Sequence, residues 1–359
     1  MKKISKVVLA LASIFALVGC GESSGGKDEK IDNATATKRL QAVTEEMGKA
    51  AGFKVEGNES LSFAINQSDY KDELGNDVKG SSINLSSSGT YGLELLLENA
   101  MPNAGKATAS VAMDVSGNLA NGHAEISAEG YLKEGMLYAK YSSTVDQGSD
   151  QPTTDEGKTG ASVDALLGDI IGTIGNMEDK SVEEIIRSFV DIDLEEGVID
   201  SYVNAAFTKL PTCDFTTNKK TETFSWKLTN TDIDNMIDAA IMGQLPTLEE
   251  SGLSQEKYDE LVSEATNNAN TIKAIVGNIL KINNADVAIS VYDAKYISGV
   301  NLNLDVEVAV PASLGIFPAD TVFKLKSNLS GNISLLDANH TINYPADLES
   351  WLPTPETDQ

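Results

Sequence analysis

Few side chains in this sequence are of the types that carry out chemistry. Its 359 residues include two histidines, His123 and His340, and two cysteines, Cys20 and Cys213. A hydrolase needs a nucleophile with a base, most often histidine, and zinc needs several histidine or cysteine ligands. Both histidines lie next to turn-forming or loop sequence, which favours surface positions, and Cys213 is interpreted as a half-buried structural thiol. We therefore expect no enzyme, no metal site and no cofactor.

Acidic residues are abundant, and they exclude one class of partner. The chain has 54 Asp and Glu against 27 Lys and Arg, a formal charge of −27. Nucleic acid binding requires a basic face, and none is visible. The stretch DIDLEEGVIDSY resembles the start of a calcium loop, but Glu196 replaces the required glycine and Tyr202 replaces the bidentate glutamate. It is interpreted as a solvated acidic loop.

The amino terminus has the features of an export signal. A basic start is followed by an apolar stretch, residues 7–18, that is too short to span a membrane. The sequence Leu-Val-Gly-Cys ending at Cys20 resembles the lipobox of bacterial lipoproteins, which implies that the Cys20 thiol is acylated after cleavage. The predicted organisation is a signal peptide at 1–19, an acylated cysteine and flexible tether at 20–33, and one domain at 34–359. The predicted location is the extracytoplasmic face of a cell membrane, attached through acyl chains, and Gly21 favours the outer membrane where one exists.

Hydrophobic spacing predicts the elements of this domain. Leu40, Val43 and Met47 indicate one amphipathic helix, and from Phe53 the spacing changes to two, which indicates about five strands up to residue 143. Residues 144–160 are predicted to form a polar loop, and 163–189 to form helices. A short strand then enters a helix capped by Thr231, a longer helix or a pair of helices covers residues 254–281, and the last quarter of the chain alternates again.

Polar residues on one face of nearly every strand favour an antiparallel sheet over a parallel one, which would be apolar on both faces. The predicted fold class is therefore α+β: a strongly curved antiparallel sheet, or half-barrel, with its helices packed on one face.

This order of elements resembles the LolA/LppX-like lipoproteins. The matching stretches are FKVEGNESLSFAI, YLKEGMLYAKY, FSWKLTNTDIDNMIDA and TINYPADL. The resemblance implies an incomplete curved β-barrel with a hydrophobic cavity between sheet and helices, which carries lipid in some members. The candidate lining residues are Leu167, Ile170, Ile174, Ile237 and Ile241.

The resulting function is a non-catalytic, membrane-anchored lipoprotein that binds a lipid or another hydrophobic ligand. Two alternatives remain. The same apolar side chains could pack as an ordinary core, because aromatic residues are only 6% of the chain. The protein would then be a structural or protein-interaction lipoprotein of the cell envelope without a small ligand.

Overall fold

The computed structural model describes residues 27–72, 74–98, 101–118, 121–146, 152–162 and 198–352. The chain divides into two compact units. The first, the sheet unit, comprises Met1–Leu166, Thr212–Lys227 and Asn284–Gln359, and the second, the helical unit, comprises Leu167–Pro211 and Leu228–Asn283. In the part of the chain that is described, no helix is long and apolar enough to span a bilayer.

One antiparallel sheet of twelve strands dominates the sheet unit. In chain order the strands are β1 (Lys27–Ile31), β2 (Gly52–Gln67), β3 (Tyr70–Lys71), β4 (Asp77–Val78), β5 (Ser82–Glu98), β6 (Met101–Gly117), β7 (Gly122–Lys133), β8 (Met136–Asp146), β9 (Thr153–Ser162), β10 (Cys213–Asn218), β11 (Thr221–Lys227), β12 (Leu280–Tyr292), β13 (Tyr296–Val310) and β14 (Thr321–Leu335). Their order across the sheet is β1-β10-β11-β12-β13-β14-β2-β5-β6-β7-β8-β9, and β3 and β4 pair only with each other.

The register gives the sheet two chemically different faces, because successive side chains of a strand point to opposite sides. One row of the first face contains Val306, Leu325, Phe63, Leu85 and Val115. The adjacent row, on the second face, contains Asp305, Lys326, Ser62, Ser86 and Asp114. We call these the apolar face and the polar face.

One helix described in the sheet unit, α1 (Asn33–Met47), packs on the apolar face beside β13. The Asp32 side chain caps it by accepting a 2.7 Å hydrogen bond from the Thr35 main-chain N–H. Ala36 and Val43 are buried against a core built from β10 to β13, with Phe215 and Phe224 5.0 Å apart at its centre. The spacing that predicted this helix therefore identified its buried side.

A second core lies on the polar face, where residues 336–352, which we call the C-terminal strap, cross the sheet. The strap contains no strand and ends in a 3₁₀ turn, Leu348–Trp351. Its buried members are Ile342, Leu348 and Trp351, which pack on Tyr131 of β7 and Tyr138 of β8. The strap thus covers apolar residues on a face that is otherwise polar.

The predicted α+β half-barrel with helices packed on one face is wrong. Strands dominate the described residues in one twelve-stranded sheet, and α1 is the one described helix of the unit that contains it. Apart from the segment that forms α1, the segments with helical spacing that led to the prediction fall into two groups. Residues 163–197 lie outside the described residues, and the others belong to the separate helical unit.

Three local predictions are also corrected. The sequence predicts a loop over 144–160, but β8 extends to Asp146 and residues 153–162 form edge strand β9. The closing stretch TINYPADL is part of the strap rather than a strand. Residues 27–31, predicted as part of the tether, form β1, because their main-chain groups pair with β10.

The helical unit contains four described helices: α2 (Val198–Phe207), α3 (Asn230–Met242), α4 (Leu248–Ser251) and α5 (Gln255–Ile279). Thr229, not Thr231, caps α3, because Thr229 and Asp232 form a reciprocal capping box. The α3 helix packs on α2 and α5, and Lys273 of α5 binds Asp238 of α3 at 2.8 Å.

Candidate functional site

The candidate site is a shallow depression of about 240 Å³ that crosses β5 to β9 on the polar face. Its lining residues are Thr90, Thr108, Ala109, Ser110, Ser127, Ala128, Glu129, Lys140, Tyr141, Ser142 and Glu156. Because three serines form the centre of its floor, we call it the serine trough. A second depression lies along α5 and is more open; one acidic helix surface lines it, which is typical of a solvated face.

The floor of the serine trough follows from strand register. Thr90 lies opposite Ser110, Ser110 opposite Ser127, Ser127 opposite Ser142, and Ser142 opposite Glu156. Neighbouring strands are about 4.8 Å apart, so these five residues make a straight row roughly 19 Å long at right angles to the strands. The depression forms because the side chains of this row on β6, β7 and β8 are all serines, which are shorter than most of the side chains of the neighbouring rows.

Charged residues form one wall of the trough. Thr108 lies opposite Glu129, which lies opposite Lys140, and both charged side chains are exposed. Opposite charges in directly paired positions stabilise each other across strands. The Tyr131 hydroxyl also donates to the Glu129 carboxylate at 3.3 Å. On the opposite side, Thr144 and Thr154 have their hydroxyl oxygens 3.4 Å apart.

The groups that line the trough are suited to hydrogen bonding. Serine and threonine hydroxyls both donate and accept hydrogen bonds, while Lys140 donates and the two glutamates accept. The lining residues include no histidine and no cysteine, so the serines have no imidazole base to activate them. The trough is therefore suited to a ligand that offers many hydroxyl groups.

His123 lies elsewhere on the polar face, at the start of β7, and is exposed as predicted. Its Nδ1 is 2.7 Å from the Asp114 carboxylate and its Nε2 is 3.6 Å from that of Glu125. The hydrogen bond with Asp114, followed by that with Glu125, raises the pKa of His123 above 6.5. His340 belongs to the strap and lies 3.2 Å from Glu94.

Cys213 is more deeply buried than the sequence suggested. Its exposed fraction is 0%, and burial raises the pKa of its thiol from 9.0 to about 11. A protonated thiol is neither a nucleophile nor a metal ligand. Among the described residues, no three His, Cys, Asp or Glu side chains are grouped so as to hold a metal ion.

The predicted site residues are not brought together in the described structure. Cys20, Leu167, Ile170 and Ile174 lie outside the described residues, so acylation of Cys20 stays a prediction. Ile237 and Ile241 lie half-buried on α3 of the helical unit. The serine trough was not predicted from the sequence, although serines and threonines at alternate positions of β5, β6 and β8 were a signal for it.

No protein-family model matches the sequence, and no curated protein matches it. Among solved structures, the chain is similar to the translocator domain of autotransporter NalP from Neisseria meningitidis, with a TM-score of 0.19 and 7% identity over 83% of this chain and 95% of that one. The outer membrane protein OprG from Pseudomonas aeruginosa matches with a TM-score of 0.15 and 6% identity over 80% and 98%. Ail, the attachment invasion locus protein of Yersinia pestis, matches with a TM-score of 0.09 and 7% identity over 79% and 99%.

At these TM-scores the similarity carries no argument about fold or function. The predicted LolA/LppX-like family is wrong, because the sheet unit is built on one twelve-stranded antiparallel sheet rather than on an incomplete barrel with helices packed on one face. OprG is described as an outer membrane protein, and none of the three structures is described as an enzyme.

The function predicted from that family is wrong as well. A lipoprotein that carries a lipid between sheet and helices needs the α+β half-barrel, which the structure replaces with a sheet unit and a separate helical unit. The comparisons give no support to attachment through N-terminal acyl chains, since the two structures matched first are a translocator domain and an outer membrane protein. They give no evidence for the lipobox or palmitate assignment either, and Cys20 itself lies outside the described residues.

Proposed function

We propose that the protein is a non-enzymatic binding protein of the cell envelope that holds an extended, hydroxyl-rich polymer, a glycan chain, in the serine trough. The observation that carries this proposal is the register that aligns Thr90, Ser110, Ser127, Ser142 and Glu156 in one straight row. Such a row presents hydroxyl groups at regular intervals, one on each strand. This arrangement suits a polymer whose repeating units offer hydrogen-bonding groups at regular intervals.

The chemistry of the walls favours an uncharged polymer over an ionic one. Glu129 and Lys140 face each other, so their charges largely cancel, and Glu156 closes one end. A polyanion would also meet a chain with a formal charge of −27. Sugar hydroxyls can donate to the carboxylates and accept from Lys140 and from the serine hydroxyls.

Binding without turnover agrees with the groups that are present. Glycoside hydrolysis needs two carboxyl groups on either side of the scissile bond. In the trough, Glu129 lies in the wall on β7 and Glu156 at the end of the floor on β9, two strands apart. The floor residues between them are serines.

The test is co-sedimentation of the full chain with a panel of insoluble α- and β-linked glucans, chitin and peptidoglycan. Ser127→Trp fills the middle of the trough and should weaken binding about tenfold or more, which requires a loss of only about 1.4 kcal/mol. Ser86→Trp is the matched control, because Ser86 is an exposed serine of the polar face outside the trough. The proposal is refuted if the wild-type protein binds none of these glycans. It is also refuted if Ser127→Trp and Ser86→Trp bind them equally well.

A further inference from the structure

Two loops at one end of the sheet expose large apolar side chains. Leu74 is 87% exposed and Ile316 is 65% exposed, and these are the highest values for large apolar residues in the described part of the chain. Leu314 is 50% exposed. Leu74 lies at the turn of the β3–β4 hairpin, and the other two lie in the β13–β14 loop, residues 311–320.

The two loops are neighbours. Gln67, the last residue of β2, pairs with Thr321, the first residue of β14. The main-chain N–H of Ser68 donates to the main-chain oxygen of Asp320 at 2.9 Å, which ties the base of the hairpin to the base of the loop. The exposed apolar residues therefore project from the same end of the sheet.

The β13–β14 loop is held in its shape by hydrogen bonds and packing. Its 3₁₀ turn, Ala312–Leu314, ends at Gly315, whose φ of 72° is in the left-handed region. Asp320 fixes the base of the loop, because its carboxylate accepts a 2.8 Å hydrogen bond from the Ala312 N–H. The Phe317 ring packs on Phe323, with centroids 5.6 Å apart. Leu314 and Ile316 are thus presented to solvent by an ordered backbone.

The β13–β14 loop carries little charge although the chain is strongly acidic, whereas the hairpin, residues 69–79, contains four acidic residues and two lysines. Asp320 is the one ionisable residue of loop 311–320, and its carboxylate is used inside the loop. In the hairpin, the Asp72 carboxylate accepts hydrogen bonds from the main-chain N–H groups of Leu74 and Asn76. Lys71 pairs with Asp77 at 2.9 Å.

We infer that Leu74, Leu314 and Ile316 insert together into an uncharged lipid surface. Apolar side chains on protruding loops can be buried by a partner that adapts to their shape. The interfacial region of a lipid layer adapts in this way, whereas a protein partner would need a groove of matching shape. The low charge of the β13–β14 loop allows its approach to a lipid surface, while the acidic hairpin and the remainder of the chain are repelled by anionic headgroups. The surface that fits is therefore zwitterionic, such as phosphatidylcholine.

Tryptophan placed at the tip tests this directly. The full-length Ile316→Trp variant is mixed with phosphatidylcholine vesicles whose acyl chains are either brominated or not. Brominated lipid should reduce the fluorescence added by the new tryptophan about twofold, because interfacial anchors lie roughly 5–10 Å deep. Wild-type fluorescence, from Trp226 and Trp351, is subtracted.

The matched control is Leu335→Trp, at the opposite end of β14, where the native side chain is 41% exposed. Its tryptophan should not be quenched, and Leu314→Asp should reduce quenching in the Ile316→Trp background. Replacing part of the lipid by phosphatidylglycerol should weaken the effect. The inference is wrong if both tryptophans are quenched equally, as attachment by the amino-terminal apolar stretch alone would predict, or if neither is quenched.

Discussion

Tyr91 of β5 and Ser330 of β14 lie on strands that are not neighbours, yet the Tyr91 hydroxyl donates a 3.0 Å hydrogen bond to the Ser330 main-chain oxygen. The tyrosine reaches across β2 at Gly57, where a Cβ atom would lie 2.4 Å from the ring and 2.1 Å from the Ser330 oxygen. Three strands are thus joined at a position that only glycine allows.

Gly57→Ala should lower the free energy of unfolding by about 1–3 kcal/mol, because the ring or the main chain must move to admit the methyl group. Urea unfolding followed by circular dichroism measures this change. Gly130→Ala is the control in β7, since a Cβ there would make ordinary contacts at 3.7 and 3.8 Å. Similar losses for the two variants would show that Tyr91 does not constrain β2.

Trp351→Ala should destabilise the sheet unit by about 3–5 kcal/mol, as truncation of a buried aromatic residue does. Trp351 is 3% exposed, its ring lies edge-on to Tyr131 at 5.8 Å, and its indole N–H donates to Asp347. Limited proteolysis should then cut within the strap before the sheet is cut. The conservative change Trp351→Phe should keep most of the strap's resistance to proteolysis. Early cleavage of the strap in both variants would show that aromatic packing is not what protects it.

His123 should stabilise the sheet unit more at low pH than at high pH. The neighbouring carboxylates raise its pKa in the folded protein, so its contribution is fully present below the unfolded value of 6.5 and disappears as the pH rises through the folded value. Asp114→Asn should lower the pKa of His123, as measured by an NMR titration of the ring protons. An unchanged titration would mean that the 2.7 Å contact does not persist in solution.

Cys213 should not react with thiol reagents in the native protein. Its side chain is completely buried, and a pKa near 11 leaves almost no thiolate at neutral pH. Mass spectrometry of peptides after treatment with a maleimide distinguishes Cys213 from Cys20. Labelling should appear only in denaturant, so rapid native labelling at Cys213 would show that the core between α1 and β10 opens.

Parts of the sheet unit could be predicted from local sequence because spacing and burial agree there. Leu40, Val43 and Met47 marked the buried side of α1, and alternation from Phe53 marked β2 and its neighbours. Strand β9 could not be found in this way. The apolar-face positions of β9 include Asp155 and Gly157, and it forms because its main chain pairs with β8.

The two features with the most functional interest depend on residues far apart in the chain. The strap has no periodicity, and its buried Leu348 and Trp351 meet tyrosines that precede them by some two hundred positions. Each serine of the trough looks like ordinary exposed strand sequence, and only the pairing of β5 to β9 aligns them. A register shift of one residue would turn the whole row to the other face.

The central position of β2 also decides when this protein can fold. Its partner β14 lies near the other end of the chain, so that Phe53 pairs with Leu335. During synthesis the middle of the sheet has to wait until nearly all residues have emerged, and pairings of such high contact order form slowly. The two halves of the sheet are therefore joined late, whereas β2 and β5 to β9 pair with their neighbours in the sequence and do not depend on β14.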